Sequence, residues 1–368
     1  MRIAMVGQKR TGSREGGVEV VVSELARRMA ARGHEVTCYD RRGAGAPEEP
    51  FEWEGVRVVP VTTVDAKGMA ALSSSFFATR AALRDKPDVI HYHAEGPCVP
   101  LRLARERGVR TVATIHGLDW QRAKWGRLAS AYIKLGERTA ATCADELVVL
   151  SEPARAYFQE AYGREAALVP NGIDPKEPVE AVEIRSRWGL EPGGYLLYLG
   201  RIVPEKGLHY LIDAYRGMDT DLRLVVAGGS SDTSEYLEQV RAQAEGDPRV
   251  LFTGFVEGRP LEELCSNAYL YVLPSDVEGM PMSLLEAMAY GRCCVTSDIP
   301  ECADVLAGTG VTFPKGDAAA LRAALEALVD DPARVSELGA AARERVRSTY
   351  DWERVVDRTL ELYEGSAA

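Results

Sequence analysis

Two kinds of apolar pattern alternate along the chain. Short continuous runs, RIAMVG at 2–7 and others near 35–39, 56–60, 88–93, 110–115, 146–150 and 166–169, are separated by longer stretches whose apolar positions return every three or four residues, as in 17–32. The short runs predict strands and the longer stretches predict amphipathic helices. Alternation of this kind predicts a parallel sheet with helices on both faces. VPNGID at 169–174 reads as a turn, and PKEPVEAVE after it has the composition of a linker. A second series of strands and helices then runs from YLLYLG at 195–200 through LRLVVAGG, RVLFTGFV, LYVLP and CCVTS to GVTF. Residues 317–330 and 333–348 are helical by period, and DWERVVDRTLELYEG closes the chain as one more amphipathic helix. The expected fold class is therefore α/β, with two Rossmann-like domains at 1–174 and 175–349.

Composition narrows the reading. A chain of 368 residues exceeds the size at which single cores stop growing, and 46% hydrophobic with 27% charged residues is ordinary for a globular protein. The net charge of −11 disfavours nucleic acid as a partner, but it is unevenly spread. Residues 1–170 carry 25 Lys and Arg against 21 Asp and Glu, while the remainder is net acidic by 15. No apolar run is long enough to span a bilayer and no signal peptide is evident, so a cytoplasmic location is expected. Seven cysteines spread over the chain fit reduced, structural thiols better than disulfides or a zinc site.

The densest candidate chemistry lies in PSDVEGMPMSLLEAMAYGRCCVT, residues 274–296. Pro281 suits the first position of a helix, which places Glu278 and Gly279 in the preceding turn and Glu286 about a turn and a half inside. The amides of Met282, Ser283 and Leu284 would then open the helix, where its dipole favours an anion. A carboxylate on each side of a phosphate seat could accept hydrogen bonds from the diols of a sugar and a ribose. The alternatives are the two carboxylates of a glycoside hydrolase, or a loop glutamate and a solvated helix glutamate.

Other loops add candidates. Gly16 and Gly17, before the first helix, would let backbone approach a ligand, or would simply cap a flexible loop; the GxGxxG dinucleotide fingerprint is missing. His91, His93 and His116 fall near the carboxyl ends of two predicted strands, where ligands bind in such sheets. His91 and His93 share a strand face, which would suit a metal pair, but no third ligand is evident and polar lining of a cleft is preferred. Arg201 and Lys206, after the first strand of the second domain, could neutralise a diphosphate or be solvated loop cations. Phe255 could wall a base pocket or belong to the core.

Four stretches carry a resemblance: REGGVEVVVSELARRMAARGHEV at 14–36, VPNGID, GRIVPEKGL at 200–208, and EGMPMSLLEAMAYG. In this order and spacing they resemble the retaining glycosyltransferases of family 4. The resemblance implies a GT-B fold, with a nucleotide-sugar donor cleft between the two domains and a final helix, about 350–368, crossing back onto the first. It implies donor contacts from Gly16, Gly17, Arg201, Lys206, Phe255, Glu278, Gly279, Met280, Pro281, Met282, Ser283, Leu284 and Glu286, with Glu278 on the donor sugar and Glu286 on the ribose. The catalytic set it implies is His116, Glu278, Arg201 and Lys206, and the acceptor side is His93, His116, Asp119 and Arg122.

The same resemblance implies front-face transfer with retention, assisted by the departing phosphate, since no carboxylate is placed as a nucleophile. No cofactor is expected, and no DxD pair suggests a metal. In HGLDWQRAKWGRLASAYIKLGER, residues 116–138, Trp120, Trp125 and Tyr132 are interleaved with Arg122, Lys124, Arg127, Lys134 and Arg138. This mixture suits an anionic membrane surface, or an ordinary helix with packed aromatics and solvated cations. The run also resembles transferases that build bacterial surface polysaccharides. The expected partners are thus a nucleotide sugar and a saccharide or polyprenyl-diphosphate-linked saccharide, with peripheral contact at the inner membrane face. A nucleotide-sugar epimerase, a phosphorylase, or a non-catalytic sugar-nucleotide-binding regulator are the other readings.

Overall fold

A computed structural model of the chain describes residues 1–43, 47–64, 70–121, 126–229 and 234–365. They form two compact units, one of Met1–Gly172 with the last helix, the other of Ile173–Asp351.

The first unit runs β1 (Arg2–Val6), α1 (Gly17–Ala31), β2 (Glu35–Arg41), β3 (Phe51–Trp53), β4 (Val56–Val61), α2 (Ala70–Asp85), β5 (Val89–His93), α3 (Leu101–Arg105), β6 (Arg110–Ile115), α4 (Arg127–Cys143), β7 (Glu146–Val149), α5 (Glu152–Tyr162) and β8 (Ala167–Leu168). Its sheet has the order β3-β4-β2-β1-β5-β6-β7-β8. All neighbours pair in parallel except β3 with β4. The antiparallel edge strand β3 was not expected. Its three residues, FEW, follow an acidic, proline-bearing stretch and show no strand period of their own; the turn at Glu54 and Gly55, both at positive φ, folds them back onto β4.

The second unit runs α6 (Glu183–Trp188), β9 (Tyr195–Leu199), α7 (Leu208–Arg216), β10 (Arg223–Ala227), α8 (Glu235–Gln243), β11 (Val250–Gly254), α9 (Arg259–Asn267), β12 (Leu270–Leu273), α10 (Met282–Ala289), β13 (Cys293–Ser297), α11 (Pro300–Leu306), β14 (Val311–Phe313), α12 (Ala318–Val329) and α13 (Pro332–Thr349). The sheet is wholly parallel, in the order β11-β10-β9-β12-β13-β14. This is the doubly wound 3-2-1-4-5-6 order, whose direction reverses between β9 and β12. Strands such as LYVL and CCVTS are buried at every position because helices cover both faces. All seven cysteines are free, and six of them are buried.

The last helix, α14 (Trp352–Glu364), belongs to the first unit. Its buried residues, Trp352, Val355, Val356, Thr359, Leu362 and Tyr363, follow the helical period that the sequence shows. Arg32 at the end of α1 pairs with Glu353 and Asp357, and the Arg110 guanidinium donates to the Leu362 carbonyl. Deepest of these contacts is the Tyr363 hydroxyl, 2.7 Å from His91 Nδ1 on β5. Among the described residues, no helix is long and apolar enough to cross a membrane.

Candidate functional site

In an open parallel sheet, ligands bind beyond the carboxyl ends of the strands where strand order reverses. In the second unit, that rule singles out the loops after β9 and β12. The two loops are pressed together: a Cβ on Gly207 would lie 2.0 Å from the Pro274 carbonyl oxygen, and Gly207 also sits at φ +65. Only glycine meets both demands. The Asp276 amide donates to the Glu205 carbonyl at 2.8 Å, and the Ser297 hydroxyl donates to the Ser275 carbonyl.

This contact brings two of the predicted residues together. Lys206 Nζ lies 2.5 Å from Glu278 Oε1, which also accepts from the Ser275 hydroxyl at 2.6 Å. The side chains of Lys206 and Glu278 are only 14% and 8% exposed. An ammonium has three donors and a carboxylate two oxygens. With Glu278 Oε1 occupied, Oε2 and two Lys206 donors remain for a ligand. The Arg201 guanidinium, in the same loop, has no hydrogen-bond or ion-pair partner among the described residues, while its carbonyl accepts from the Tyr198 hydroxyl at 2.9 Å. Ser275 was missed by sequence reasoning; its position three residues before Glu278 was the only signal.

Helix α10 begins one residue later than expected. Pro281 has ψ 109, an extended cap rather than the first helical residue, and its carbonyl accepts from the Leu284 and Leu285 amides. Leu284 is therefore not an open donor. The amides of Met282 and Ser283 remain in the first turn, where a helix supplies no acceptor of its own. The Ser283 hydroxyl is fixed by the buried Tyr271 hydroxyl at 2.7 Å. Burial holds Tyr271 well above the usual phenol range, so it stays a donor. Gly279 is half-buried, Met280 is buried, and Glu286 is half-buried in the second turn. Phe255, directly after β11, is 51% exposed and so is not a core residue.

In the first unit, the loop after β1 is pinned rather than flexible. The Asp40 carboxylate accepts from the Thr11 amide, the Thr11 hydroxyl and the Gln8 side chain. Gly16 caps α1, but the space left by its missing side chain holds Glu19, whose Oε2 would be 2.4 Å from a Cβ there. Glu19 Oε1 in turn accepts from the Lys9 amide, so Gly16 makes room for a protein carboxylate; Gly17 is the first helical residue.

The histidines form a chain rather than a metal pair. His91 Nε2 lies 2.7 Å from the Thr114 hydroxyl, which with Tyr363 engages both ring nitrogens. His93 Nδ1 is 3.0 Å from His116 Nε2. Burial lowers the pKa of both His91 and His93, keeping them neutral. His93 is wholly buried, which places it behind His116 and corrects the expectation that it lines the acceptor surface. The Asp119 amide donates to Glu95 at 2.9 Å and Trp120 Nε1 donates to Glu137 at 2.8 Å. Arg122, Lys124 and Trp125 lie outside the described residues.

Comparison with known proteins follows the same division of the chain. The family model described as Glycosyltransferase Family 4 matches residues 15–177, and that described as Glycosyl transferases group 1 matches residues 182–345. A glycogen synthase of Mycobacterium tuberculosis is 31% identical over 400 residues, covering 99% of this chain and 94% of its own length. A GDP-mannose-dependent alpha-(1-6)-phosphatidylinositol monomannoside mannosyltransferase of Mycolicibacterium smegmatis is 30% identical, covering 97% and 96%. Among solved structures, a sucrose-phosphate synthase from Thermosynechococcus elongatus superposes with a TM-score of 0.84 at 24% identity, covering 99% of this chain and 98% of its own. The HepE protein of Anabaena in complex with UDP-glucose gives 0.82 at 18% identity, covering 99% of both chains. At these identities the two structures bear on the fold.

The buried Lys206–Glu278 pair makes a prediction that needs no ligand. Lys206→Met alone strands a buried carboxylate and should cost about 3–5 kcal/mol of stability. Combined with Glu278→Gln, most of that loss should be recovered. Urea denaturation of the two single variants and the double variant checks this, and simple addition of the single losses would contradict the pairing.

Proposed function

Because the chain belongs to the family 4 glycosyltransferases of the GT-B fold, we propose that it moves a sugar from a nucleotide-diphosphate sugar to a saccharide or lipid-linked saccharide, with retention at the anomeric carbon and without a metal. The observation that carries this reading is the cluster at the switch point of the second sheet. There Arg201, with no partner among the described residues, a half-committed Lys206 and the open first turn of α10 supply positive potential beside the two carboxylates Glu278 and Glu286. Arg201 and Lys206 stabilise the negative charge that the diphosphate gains as the bond from the anomeric carbon to the phosphate oxygen breaks. The Met282 and Ser283 amides seat a phosphate. Glu278 Oε2 accepts from a donor-sugar hydroxyl and Glu286 accepts from the ribose hydroxyls.

In the front-face course, the acceptor hydroxyl attacks from the side the phosphate leaves. Its proton passes to the departing phosphate oxygen, so no separate base is needed. The cations and the helix start serve the role that a bridging metal would otherwise fill. His116 and Asp119 are assigned to the acceptor. The activities named for the relatives, a glycogen synthase and a phosphatidylinositol monomannoside mannosyltransferase, support both a saccharide and a lipid-borne saccharide as acceptor classes. Cell-surface polysaccharide synthesis is the role we assign.

A peripheral position on the inner membrane face belongs to the same reading, on changed grounds. Trp120 is held by Glu137 and covered by Lys134, whose Nζ is 4.1 Å from the ring centroid, and Tyr132 is half-buried against Gly96. Neither ring is a free anchor. The outward face of α4 instead presents Leu128, 89% exposed, and Leu135, with Arg127, Lys134 and Arg138. Each basic residue near an anionic surface contributes about 1 kcal/mol.

Two experiments test these assignments. With a nucleotide sugar that stabilises the protein thermally, Arg201→Ala should lower turnover roughly a hundredfold or more. Glu286→Ala should weaken donor binding roughly tenfold to a hundredfold. Activity should survive EDTA; unchanged kinetics in both variants, or loss with EDTA and rescue by manganese, would contradict the site or its metal independence. For the membrane, flotation with anionic and neutral liposomes should recover wild-type protein on the anionic vesicles only. The double variant Arg127→Glu, Arg138→Glu should bind them at least about tenfold less well. Equal recovery of both proteins, or none of either, would leave a soluble acceptor.

A further inference from the structure

Two carboxylates are buried together beneath the loop that follows His116. Glu95 is inaccessible to solvent and Glu137 is 1% exposed. Among the described residues, neither pairs with a lysine, arginine or histidine. Their hydrogen bonds can be counted. Glu137 Oε1 accepts from the Tyr157 and Tyr162 hydroxyls at 2.8 and 2.5 Å, and Oε2 accepts from Trp120 Nε1. Glu95 Oε2 accepts from the Asp119 amide, and Glu95 Oε1 is buried with no hydrogen-bond partner among the described residues. Two uncompensated charges in such a place would each carry a large desolvation cost.

The packing leaves little room for relaxation. A Cβ on Gly136 would sit 2.0 Å from the Glu95 carbonyl oxygen, so α4 bears directly on the chain after β5 and sets Glu137 beside Glu95. A single proton on the pair would give the orphaned Glu95 oxygen its partner. Burial first, then the charges of Asp119 and Glu137, hold the Glu95 carboxyl well above the usual carboxylate range. Tyr157 and Tyr162 are likewise raised, by burial and by Glu137, and remain donors.

We propose that Glu95 and Glu137 share one proton and act as positioning residues, together holding the Asp119–Gln121 turn in place beside His116. One carboxylate grips the turn by its backbone and the other by the Trp120 indole. The consequence for an acceptor rests on the assignment of His116 and Asp119 given above; the proton sharing and the tethering do not.

Glu95→Gln is the informative variant, because its amide can accept from Asp119 and donate to Glu137 at every pH. A carboxyl whose folded pKa is raised contributes stability that is complete below its unfolded pKa, near 4.3, and is lost as pH rises toward the folded value. The thermal midpoint of Glu95→Gln should therefore gain on wild type steadily from pH 5 to pH 9. A constant difference would overturn the shared proton. Hydrogen–deuterium exchange at neutral pH reads the tether. Peptides covering 116–121 should exchange at least about tenfold faster in Glu95→Ala, at the wild-type rate in Glu95→Gln, and strands β1 and β2 should be unaffected in both. No change in that segment, an equal change throughout the first unit, or failure of glutamine to rescue would overturn the positioning role. If both results hold while no acceptor is ever found for this loop, the fault lies with the acceptor assignment and not with the pair.

Discussion

Everything in the second unit that bears on chemistry depends on how closely the loops after β9 and β12 approach each other. Gly207 against the Pro274 carbonyl fixes the distance, and Lys206 on Glu278 Oε1 fixes the charge. A buried ion pair of this sort is a weak source of stability, because desolvating both groups costs about as much as their attraction returns. Its value lies in placement. The ammonium holds a carboxylate at a set position beside a helix start, and each partner keeps capacity for a ligand.

The first unit solves a different problem with the same materials. Its sheet ends carry buried polar groups: His91 between Thr114 and Tyr363, His93 on His116, and Glu95 beside Glu137. Low dielectric raises the cost of any unpaired member and strengthens every bond that is made. The final helix takes part through Tyr363, so the end of the chain completes a network that begins on β5. His116 is thereby held by groups buried behind it.

Most of the architecture was legible in the sequence because both sheets are parallel and covered, which turns strands into short apolar runs and helices into periodic ones. What escaped notice had no such pattern. Strand β3 is three residues long and exists through its turn onto β4. In the loop after β12, the residue types and their spacing were readable, but the coupling of Lys206 to Glu278, 72 residues apart, depends on strand order. The one-residue shift of Pro281 reflects the carbonyl it offers to Leu284 and Leu285. The space at Gly16 that Glu19 fills was not legible either, since a glycine that admits a ligand and one that admits a neighbouring carboxylate look alike in sequence. The sequence left Trp120 equally readable as a surface or a packed aromatic, because the partner that holds it, Glu137, lies 17 residues further on.

The central claim is that the switch point of the second sheet seats a nucleotide-diphosphate sugar. A crystal structure of the protein soaked with UDP-glucose, or with whichever nucleotide sugar stabilises it most in a thermal screen, tests that most directly. The account requires diphosphate oxygens within hydrogen-bonding distance of Arg201, Lys206 and the Met282 and Ser283 amides, with the ribose on Glu286 and Lys206 still on Glu278. A nucleotide bound elsewhere, or one at this place with its ribose turned away from Glu286, would contradict it.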